Sequence, residues 1–219
     1  MNRKKKILIA NRGVIAIRAL RAAKELGYEV ASVYSTADKN LKHLKLSDEA
    51  ICIGPPDSRE SYLNEAAIIS AAELADVDGI YPGYGFLSEN AEFAEKCKNS
   101  GFKFIGPSHE IISLMGDKIQ AKNLMRQLGV PVVPGYEGPV ESKAQIEDKV
   151  KDVGLPVIIK AASGGGGRGM RIVRELSELW SAIEDARSEA NAAFGSDKVF
   201  IERYLERPRH VEIQVFGDG

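Results

Sequence analysis

The glycine-rich segment over residues 163–170, SGGGGRGM, is the part of the sequence best suited to binding an anion. Glycines let backbone N–H groups approach a phosphate closely, and a flexible loop can close over it. The Walker pattern is absent because Arg168 follows the glycines, so a mobile hairpin turn is an equally good interpretation of the glycines alone. Lys160 favours the anion-binding interpretation over the hairpin turn, because it ends the otherwise apolar stretch VIIK. A lysine there either reaches solvent or meets an anion, and we favour the anion.

Two further polar features could take part in such a site. Lys118, in MGDKIQAK, lies in a predicted helix, where most lysines are only solvated. Alternation along FIERYLERPRHVEIQV predicts two strands, with Phe200, Glu202 and Tyr204 on one side of the first and a polar face of His210, Glu212 and Gln214 on the second. Such a face is either exposed to solvent or forms the wall of a ligand cleft, and both interpretations stay open.

The first half of the chain offers two loops at the ends of predicted strands. The turn Asn11-Arg12-Gly13 resembles a nucleotide-binding turn, but the pattern GxGxxG is missing, which argues against a dinucleotide site. YPGYGFLSEN also follows a strand, where α/β sheets bind ligands. Its two tyrosines, phenylalanine and glutamate exceed what a bare turn needs.

The elements that position these residues fall into two patterns. In the first half, KKILIA, EVASVYS, AICIG, DGIYPG and FKFIGP are predicted strands, with helices over residues 62–75 and 91–98. A further helix after Gly13 is predicted to bury one stripe, formed by Ile15, Ala19, Ala22, Ala23 and Leu26. Strands alternating with helices predict a parallel sheet covered on both faces.

After Gly106-Pro107 the pattern becomes α+β. A long helix is predicted from its N-cap Ser108 to Leu128, and shorter ones over residues 142–153 and 176–194. PVIIKA and MRIV flank the glycines and predict a hairpin, and KVFIERYL and HVEIQV predict two more strands. Because the final Gly-Asp-Gly is a hairpin-turn signal with no return strand, we expect the chain to be part of a longer polypeptide.

The composition excludes several classes of function. The 219 residues carry 30 Lys+Arg and 31 Asp+Glu, and this balance argues against a nucleic-acid-binding protein. Two cysteines fit neither a disulfide framework nor a metal pair, which indicates a reducing, cytoplasmic compartment. No apolar run is long enough for a signal peptide or a membrane span.

Taken together, these motifs resemble the biotin carboxylase family, the ATP-grasp subunit or domain of biotin-dependent carboxylases. The matching segments, in the family's order and spacing, are KILIANRG, CIGP with SYLN, PGYGFLSEN, FIGPS, MGDK, GVPVVPG, PVIIKA, GGGGRGM and RPRHVEIQV. Val14 and Tyr81 depart from the family's usual glutamate and histidine, and Ser163 is a mild variation. The resemblance implies an α/β chain: a Rossmann-like, parallel-sheet (pre-ATP-grasp) domain over residues 1–113, then an incomplete α+β ATP-grasp domain over 114–219 with a lid over 131–204.

The resemblance also assigns site residues. Lys118 and Lys160 are expected to contact ATP phosphates, and Gly166 and Gly167 to belong to the loop that closes over them. Glu202, Arg203, Tyr204 and Leu205 match the hinge that holds the adenine, largely through backbone groups. His210 matches a further nucleotide contact.

Enzymes of this family use MgATP and bicarbonate to form carboxyphosphate, and then carboxylate biotin carried on a protein. The resemblance therefore implies ATP, Mg²⁺ and biotin, together with a biotin carboxyl carrier protein, a carboxyltransferase and homodimerisation, without nucleic acid or membrane. Malonyl-CoA formation for fatty-acid synthesis is the expected route, with acetyl-CoA, propionyl-CoA or pyruvate open as acceptors. The family's Mg²⁺, bicarbonate and biotin residues lie downstream of Gly219, so no catalytic or metal residue is assigned. The chain alone is expected to be inactive as a carboxylase.

Two alternatives remain. Another ATP-grasp ligase, of the carbamoyl-phosphate or purine-pathway type, would share the lysines and glycines, but YPGYGFLSEN and RPRHVEIQV argue against it. A non-catalytic nucleotide-binding module would share the same site without the chemistry.

Overall fold

The computed structural model describes residues 3–139, 142–162, 170–213 and 215. The chain divides into two compact units, the first ending at Gly116 and the second beginning at Asp117. The domain limits implied by the resemblance, 1–113 and 114–219, stay a prediction. No helix among the described residues is long and apolar enough to cross a membrane.

The first unit is built on a parallel sheet. Its strands are β1 (Lys6–Ile9), β2 (Glu29–Ser35), β3 (Glu49–Gly54), β4 (Gly79–Tyr81) and β5 (Lys103–Phe104). Its helices are α1 (Gly13–Glu25), α2 (Lys42–Leu46), α3 (Glu65–Leu74), α4 (Ala91–Asn99) and α5 (His109–Gly116). The strand order is β3-β2-β1-β4-β5 with every pairing parallel, which confirms the α/β architecture predicted from the alternation.

The two faces of this sheet have separate cores. The larger core contains Phe93, Ile68 and Ile80, and the smaller one packs Ala16 and Leu20 of α1 against β1 and β2. The predicted stripe on α1 is confirmed at Ala23 and wrong at Ala22 and Leu26, which are exposed. Ala16 and Leu20 complete the buried face instead. Residues 16, 20 and 23 have the i, i+4, i+7 spacing of a helix face, and Leu26 lies past the end of the helix.

The second unit is α+β. It contains α6 (Lys118–Gln127), β6 (Gly135–Tyr136), α7 (Lys143–Val153), β7 (Val157–Ala161), β8 (Arg171–Val173), α8 (Leu176–Phe194) and β9 (Val199–Arg203). The sheet order is β6-β9-β7-β8, and every pairing is antiparallel. The pairing of β7 with β8 confirms the antiparallel pair predicted on either side of the glycines.

Alternation along β7 and β9 divides this sheet into two faces. Ile159 and Ile201 are fully buried in the core, which also contains Ile183 of α8. Lys160 and Glu202 point to the opposite face. We call this side, with Lys160, Phe200 and Glu202, the Lys160 face.

The predicted helix over residues 108–128 is two helices. Asp117 lies between α5 and α6 and caps α6, since its Oδ1 accepts hydrogen bonds from the N–H groups of Ile119 (2.9 Å) and Gln120 (3.0 Å). A carboxylate in this position favours a new helix start over continuation of the old one. Lys118 is therefore the first residue of α6.

The predicted strand HVEIQV is also absent from the described residues. Residues 204–213 form no strand, and Val211 and Ile213 are 73% and 83% exposed. The segment cannot pair with β9, which already pairs with β6 on one side and β7 on the other, and its described residues pair with neither edge strand, β6 or β8. Gln214 lies outside the described residues.

Candidate functional site

An ion pair on the Lys160 face is the centre of the candidate site. Lys160 Nζ lies 2.6 Å from Glu202 Oε2. The strand register explains this proximity, because Lys160 faces Phe200 and Ile158 faces Glu202 across the antiparallel pair, so Lys160 and Glu202 are diagonal neighbours. Lys160 is 32% exposed and Glu202 only 11%. The lysine is thus accessible to a ligand, whereas the carboxylate is largely shielded.

A second lysine occupies the other oxygen of the same carboxylate. Lys122 Nζ lies 2.8 Å from Glu202 Oε1 and 2.6 Å from Glu137 Oε1. Arg126, one turn further along α6, lies 3.2 Å from Glu137 Oε1. These five side chains, which we call the lysine–glutamate cluster, comprise three cations and two carboxylates and so have one positive charge in excess.

The cluster controls the ionisation of Glu202. Burial by itself would raise the pKa of the Glu202 carboxyl, but hydrogen bonds and charges from Lys122 and Lys160 outweigh it and hold the pKa below its ordinary range. Glu202 is therefore a carboxylate near neutral pH, and an excess of positive charge surrounds it. Such an arrangement can accept a further anion without a net build-up of negative charge.

The predicted hinge, residues 202–205, follows the cluster directly. The N–H of Arg203 donates to Pro134 O (2.8 Å), and the N–H of Tyr204 donates to Pro156 O (2.9 Å). These two donors are committed to the fold, so a ligand at the hinge would have to use other groups. The Tyr204 ring also lies 5.9 Å from the Arg174 guanidinium, and Leu205 is half exposed.

The remaining predicted residues are less closely tied to the cluster. Lys118 is exposed and lies one helical turn before Lys122, on the same face of α6. His210 is exposed in the segment after β9, and its Nε2 lies 2.9 Å from Glu212 Oε1. Gly166 and Gly167 lie outside the described residues. Their predicted roles, like those of Lys160 and residues 202–205, stay predictions.

Sequence reasoning missed Lys122, Glu137 and Arg126. A signal for the two cations was present, because residues 118, 122 and 126 recur every four positions and so lie along one side of a helix. Glu137 gave no such signal, since it lies in the Pro/Gly-rich segment VPVVPGYEGPV, which has no helix or strand periodicity.

A cavity of about 370 Å³ adjoins the cluster at Glu137. Among the described residues, Ile119, Pro139 and Lys198 line it, together with the ion pair of Arg187 and Asp197 (2.6 Å). Lys160 and Glu202 are not part of its lining, and the charge of its Arg187 is balanced by Asp197. We therefore assign the anion chemistry to the lysine–glutamate cluster and not to this cavity.

The carboxyl edge of the parallel sheet, where such sheets bind ligands, is occupied by side chains of the chain itself. Asp38 Oδ2 accepts hydrogen bonds from Tyr62 (2.7 Å), Ser35 (2.8 Å) and Arg12 (2.9 Å). Burial would raise the pKa of Asp38, but these donors lower it overall, and burial with the bond to Asp38 raises the pKa of Tyr62 to about 12. Tyr62 also stacks on Phe86 at 4.8 Å. These contacts commit the polar side chains at this edge to one another.

No group of three or more His, Cys, Asp or Glu side chains placed to hold a metal ion occurs among the described residues.

A parallel α/β unit, followed along the chain by an antiparallel α+β unit in which Lys122 of α6 and Lys160 of β7 share the carboxylate of Glu202, is the arrangement expected of an ATP-grasp protein. A profile described as "Biotin carboxylase, N-terminal domain" matches residues 3–112, and one described as "Carbamoyl-phosphate synthase L chain, ATP binding domain" matches residues 117–219. The chain belongs to the biotin carboxylase family, as the motifs predicted.

Individual relatives of known family support this assignment. The biotin carboxylase of Haemophilus influenzae is 57% identical over 214 residues, which are 97% of this chain and 48% of that protein. A biotin carboxylase–β,γ-ATP complex from Campylobacter jejuni is 52% identical with a TM-score of 0.87, covering 94% of this chain and 46% of that one. The biotin carboxylase domain dimer of Hydrogenobacter thermophilus 2-oxoglutarate carboxylase, in complex with MgADP, ADP and bicarbonate, is 43% identical with a TM-score of 0.83, covering 94% and 45%. The chain thus spans about half the length of the relatives it matches.

Proposed function

We propose that this chain supplies the nucleotide-binding part of a biotin carboxylase. The whole enzyme uses MgATP and bicarbonate to carboxylate biotin on a carrier protein. The observation that carries the proposal is Lys160, a partly exposed lysine held on a sheet face by a carboxylate that an incoming anion can replace. The Campylobacter and Hydrogenobacter relatives, which were solved with nucleotides, support it.

Phosphate binding would proceed by exchange of partners. In the absence of a ligand, Lys160 Nζ donates to Glu202 Oε2 at 2.6 Å. A phosphate oxygen offers the same ammonium another charge-assisted hydrogen bond. The exchange is feasible because Glu202 keeps Lys122 on its other oxygen, so no buried carboxylate is left unpaired.

Lys118 is the second phosphate contact that we propose, because it extends the row of cations on α6 towards the start of the helix. Residues 202–205 would hold the adenine and His210 would make a further contact. Gly166 and Gly167 would close over the phosphates and exclude water from the reaction.

Mg²⁺ would neutralise charge on the phosphates during transfer. We propose no metal ligand among the described residues of this chain. Its own contribution is to bind and orient the nucleotide through fixed cations, which is where most of the rate gain in phosphoryl transfer arises.

The partners follow from the family. We propose bicarbonate, a biotin carboxyl carrier protein and a carboxyltransferase as partners of the whole enzyme, with a homodimer as its assembly. Malonyl-CoA formation for fatty-acid synthesis remains the route we favour.

The proposal is tested by the affinity of the 219-residue chain for MgATP, measured by titration calorimetry, with Lys160→Met as the variant. We expect the dissociation constant to rise at least tenfold, since a charge-assisted hydrogen bond contributes on the order of 1.5–3 kcal/mol. Lys151→Met is the matched control, because Lys151 is 57% exposed and pairs with Asp148 on the same helix, α7. Equal affinities of the wild type and Lys160→Met, or equal binding of NAD and ATP, would contradict the proposal.

A further inference from the structure

Lys122 differs from Lys160 in how firmly it is held. Its side chain is only 14% exposed, and its ammonium bridges Glu137 at 2.6 Å and Glu202 at 2.8 Å. It also lies 5.8 Å from the centre of the Phe200 ring, on the same face of the sheet. Two carboxylates and an aromatic ring therefore fix one ammonium, whereas among the described residues Lys160 forms an ion pair with Glu202 alone.

The space around this ammonium is also restricted. A Cβ at Gly135, in β6, would lie 3.2 Å from Lys122 Nζ and would collide with the carbonyl oxygen of Ile201. The backbone of β6 thus approaches β9 closely where the ammonium lies. Lys122 has little freedom to follow a ligand, while the more exposed Lys160 has more.

We propose that Lys122 is a positioning residue for Glu202: it stays on Oε1 when a nucleotide phosphate draws Lys160 away from Oε2, and it thereby keeps the carboxylate ionised and in place beside the hinge. This inference rests on the proposed nucleotide-binding function. It adds that the two lysines have different roles in that function. Lys160 is the exchangeable cation, and Lys122 is the fixed one.

The charges that face Glu202 explain why one lysine has to stay in place when the other moves to a phosphate. Lys122 comes from α6 and Lys160 from β7, and Glu137, after β6, is itself held by Lys122 and Arg126. If Lys160 moved to a phosphate and Lys122 were absent, Glu202 would be a buried carboxylate without a cation, facing the negative charge of Glu137 and of the phosphate. Such a group takes up a proton or turns away.

A purely structural role for Lys122 is the competing explanation, since the same contacts join α6 to β6 and β9. That role predicts a loss of stability when Lys122 is replaced, but no specific effect on the ionisation of Glu202 or on the binding of ATP by the folded protein. The test therefore needs readouts other than stability.

The first experiment needs no nucleotide. Lys160→Met imitates the departure of Lys160, and the carboxyl of Glu202 is titrated by ¹³C NMR in the 219-residue chain. We expect the pKa of Glu202 to remain below its ordinary value of 4.5 in Lys160→Met and to rise above 4.5 when Lys122→Gln is added. A pKa above 4.5 in Lys160→Met alone would overturn the inference without requiring any Lys122 variant to fold.

The second experiment measures MgATP affinity in a double-mutant cycle. Lys122→Met should weaken binding about tenfold at pH 7, Lys122→Arg should restore most of it, and Lys151→Met should change nothing. In a Glu202→Gln background, which has no charge to position, Lys122→Met should have less than a twofold effect. An equal loss in both backgrounds, or none in either, would overturn the inference.

The two failures are distinguishable. A wild-type chain that binds no ATP contradicts the proposed function, and the NMR titration then decides the role of Lys122 by itself. A wild type and Lys122→Met that bind ATP equally contradict only the inference about Lys122.

Discussion

Two buried carboxylates, Asp38 in the first unit and Glu202 in the second, are kept ionised in different ways. Asp38 is held by a closed set of donors, two of them hydroxyls, at the edge of its sheet. Glu202 is held by two lysines, whose charges can serve another anion. A hydroxyl bonded to a buried carboxylate gains little by changing partner, whereas an ammonium can move to a phosphate. Of the two carboxylates, Glu202 is therefore the one whose cationic partner can exchange it for a bound phosphate.

A buried histidine gives the first unit a pH-dependent stability. His43 is fully buried; its Nε2 lies 3.4 Å from Val33 O, and its Nδ1 has no hydrogen-bond partner among the described residues. Burial lowers the pKa of this imidazole below its ordinary 6.5, so the folded chain keeps it neutral while the unfolded chain binds a proton. The free energy of unfolding should therefore fall as the pH drops below about 6.5, approaching about 1.4 kcal/mol per pH unit until the folded pKa is reached.

Urea unfolding between pH 7.5 and 5.5, followed by circular dichroism, checks this. His43→Leu removes the titrating group and should flatten the dependence over this range, in which carboxyl groups with ordinary pKa values do not titrate. His210→Gln, at a histidine whose side chain is 83% exposed, controls for the loss of a histidine as such. A slope that persists in His43→Leu would assign the effect to another group.

Among the secondary-structure elements, the start of α6 decides where the cations of the site lie. Asp117→Ala removes the acceptor for the N–H groups of Ile119 and Gln120 and should lower the free energy of unfolding of the second unit by about 1 kcal/mol. Asp117→Asn keeps a capping side chain and should lower the free energy of unfolding by only a few tenths of the loss in Asp117→Ala. Urea titrations of the three proteins measure the difference, and equal losses in Ala and Asn would show that the charge, and not the cap, stabilises the helix.

The elements also show how far sequence reasoning reaches. Long periodic segments were predicted well: β2 and α8 were found at Glu29–Ser35 and Leu176–Phe194, as their patterns indicated. Elements that depend on pairing between distant segments of the chain were not predicted. The two-residue β6 is defined by its pairing with β9, and residues 210–213, the described start of the alternating segment HVEIQV, form no strand because they pair with no strand of the sheet. Local periodicity specifies an element, but pairing decides whether a strand forms.

The same limit applies to the site. Lys160 and Glu202 were identified from unusual residues in apolar or alternating strands, which is a local signal. The contact of Lys122 with Glu202 joins residues 80 positions apart, and that with Glu137 depends on the path of a Pro/Gly-rich segment. Such contacts follow from the assembled sheet, so only the regular spacing of cations on α6 could have suggested them beforehand.

For the whole molecule, each unit has its own hydrophobic core, and this allows ligand binding to be assigned to one of them. Every member of the core containing Ile183 belongs to the second unit, and the two cores containing Phe93 and Leu20 belong to the first. Trp180, the single tryptophan of the sequence, lies on α8 and packs against the second unit's core. Its fluorescence therefore reports on the unit that contains the lysine–glutamate cluster.

MgATP should consequently raise the urea concentration at which Trp180 fluorescence records unfolding. At about 100 times its dissociation constant, a ligand that binds only the folded state adds roughly 2.7 kcal/mol, which corresponds to a shift of about 1 M urea or more for ordinary denaturant slopes. NAD at the same concentration should produce no shift, because the first unit lacks the dinucleotide motif and the polar side chains at the edge of its sheet are committed to one another. Lys160→Met should abolish most of the ATP effect while leaving the midpoint without ligand close to that of the wild type, because Glu202 keeps Lys122 as a cationic partner on its other oxygen. A shift of equal size with NAD, or one retained in Lys160→Met, would place nucleotide binding elsewhere than at the paired lysines.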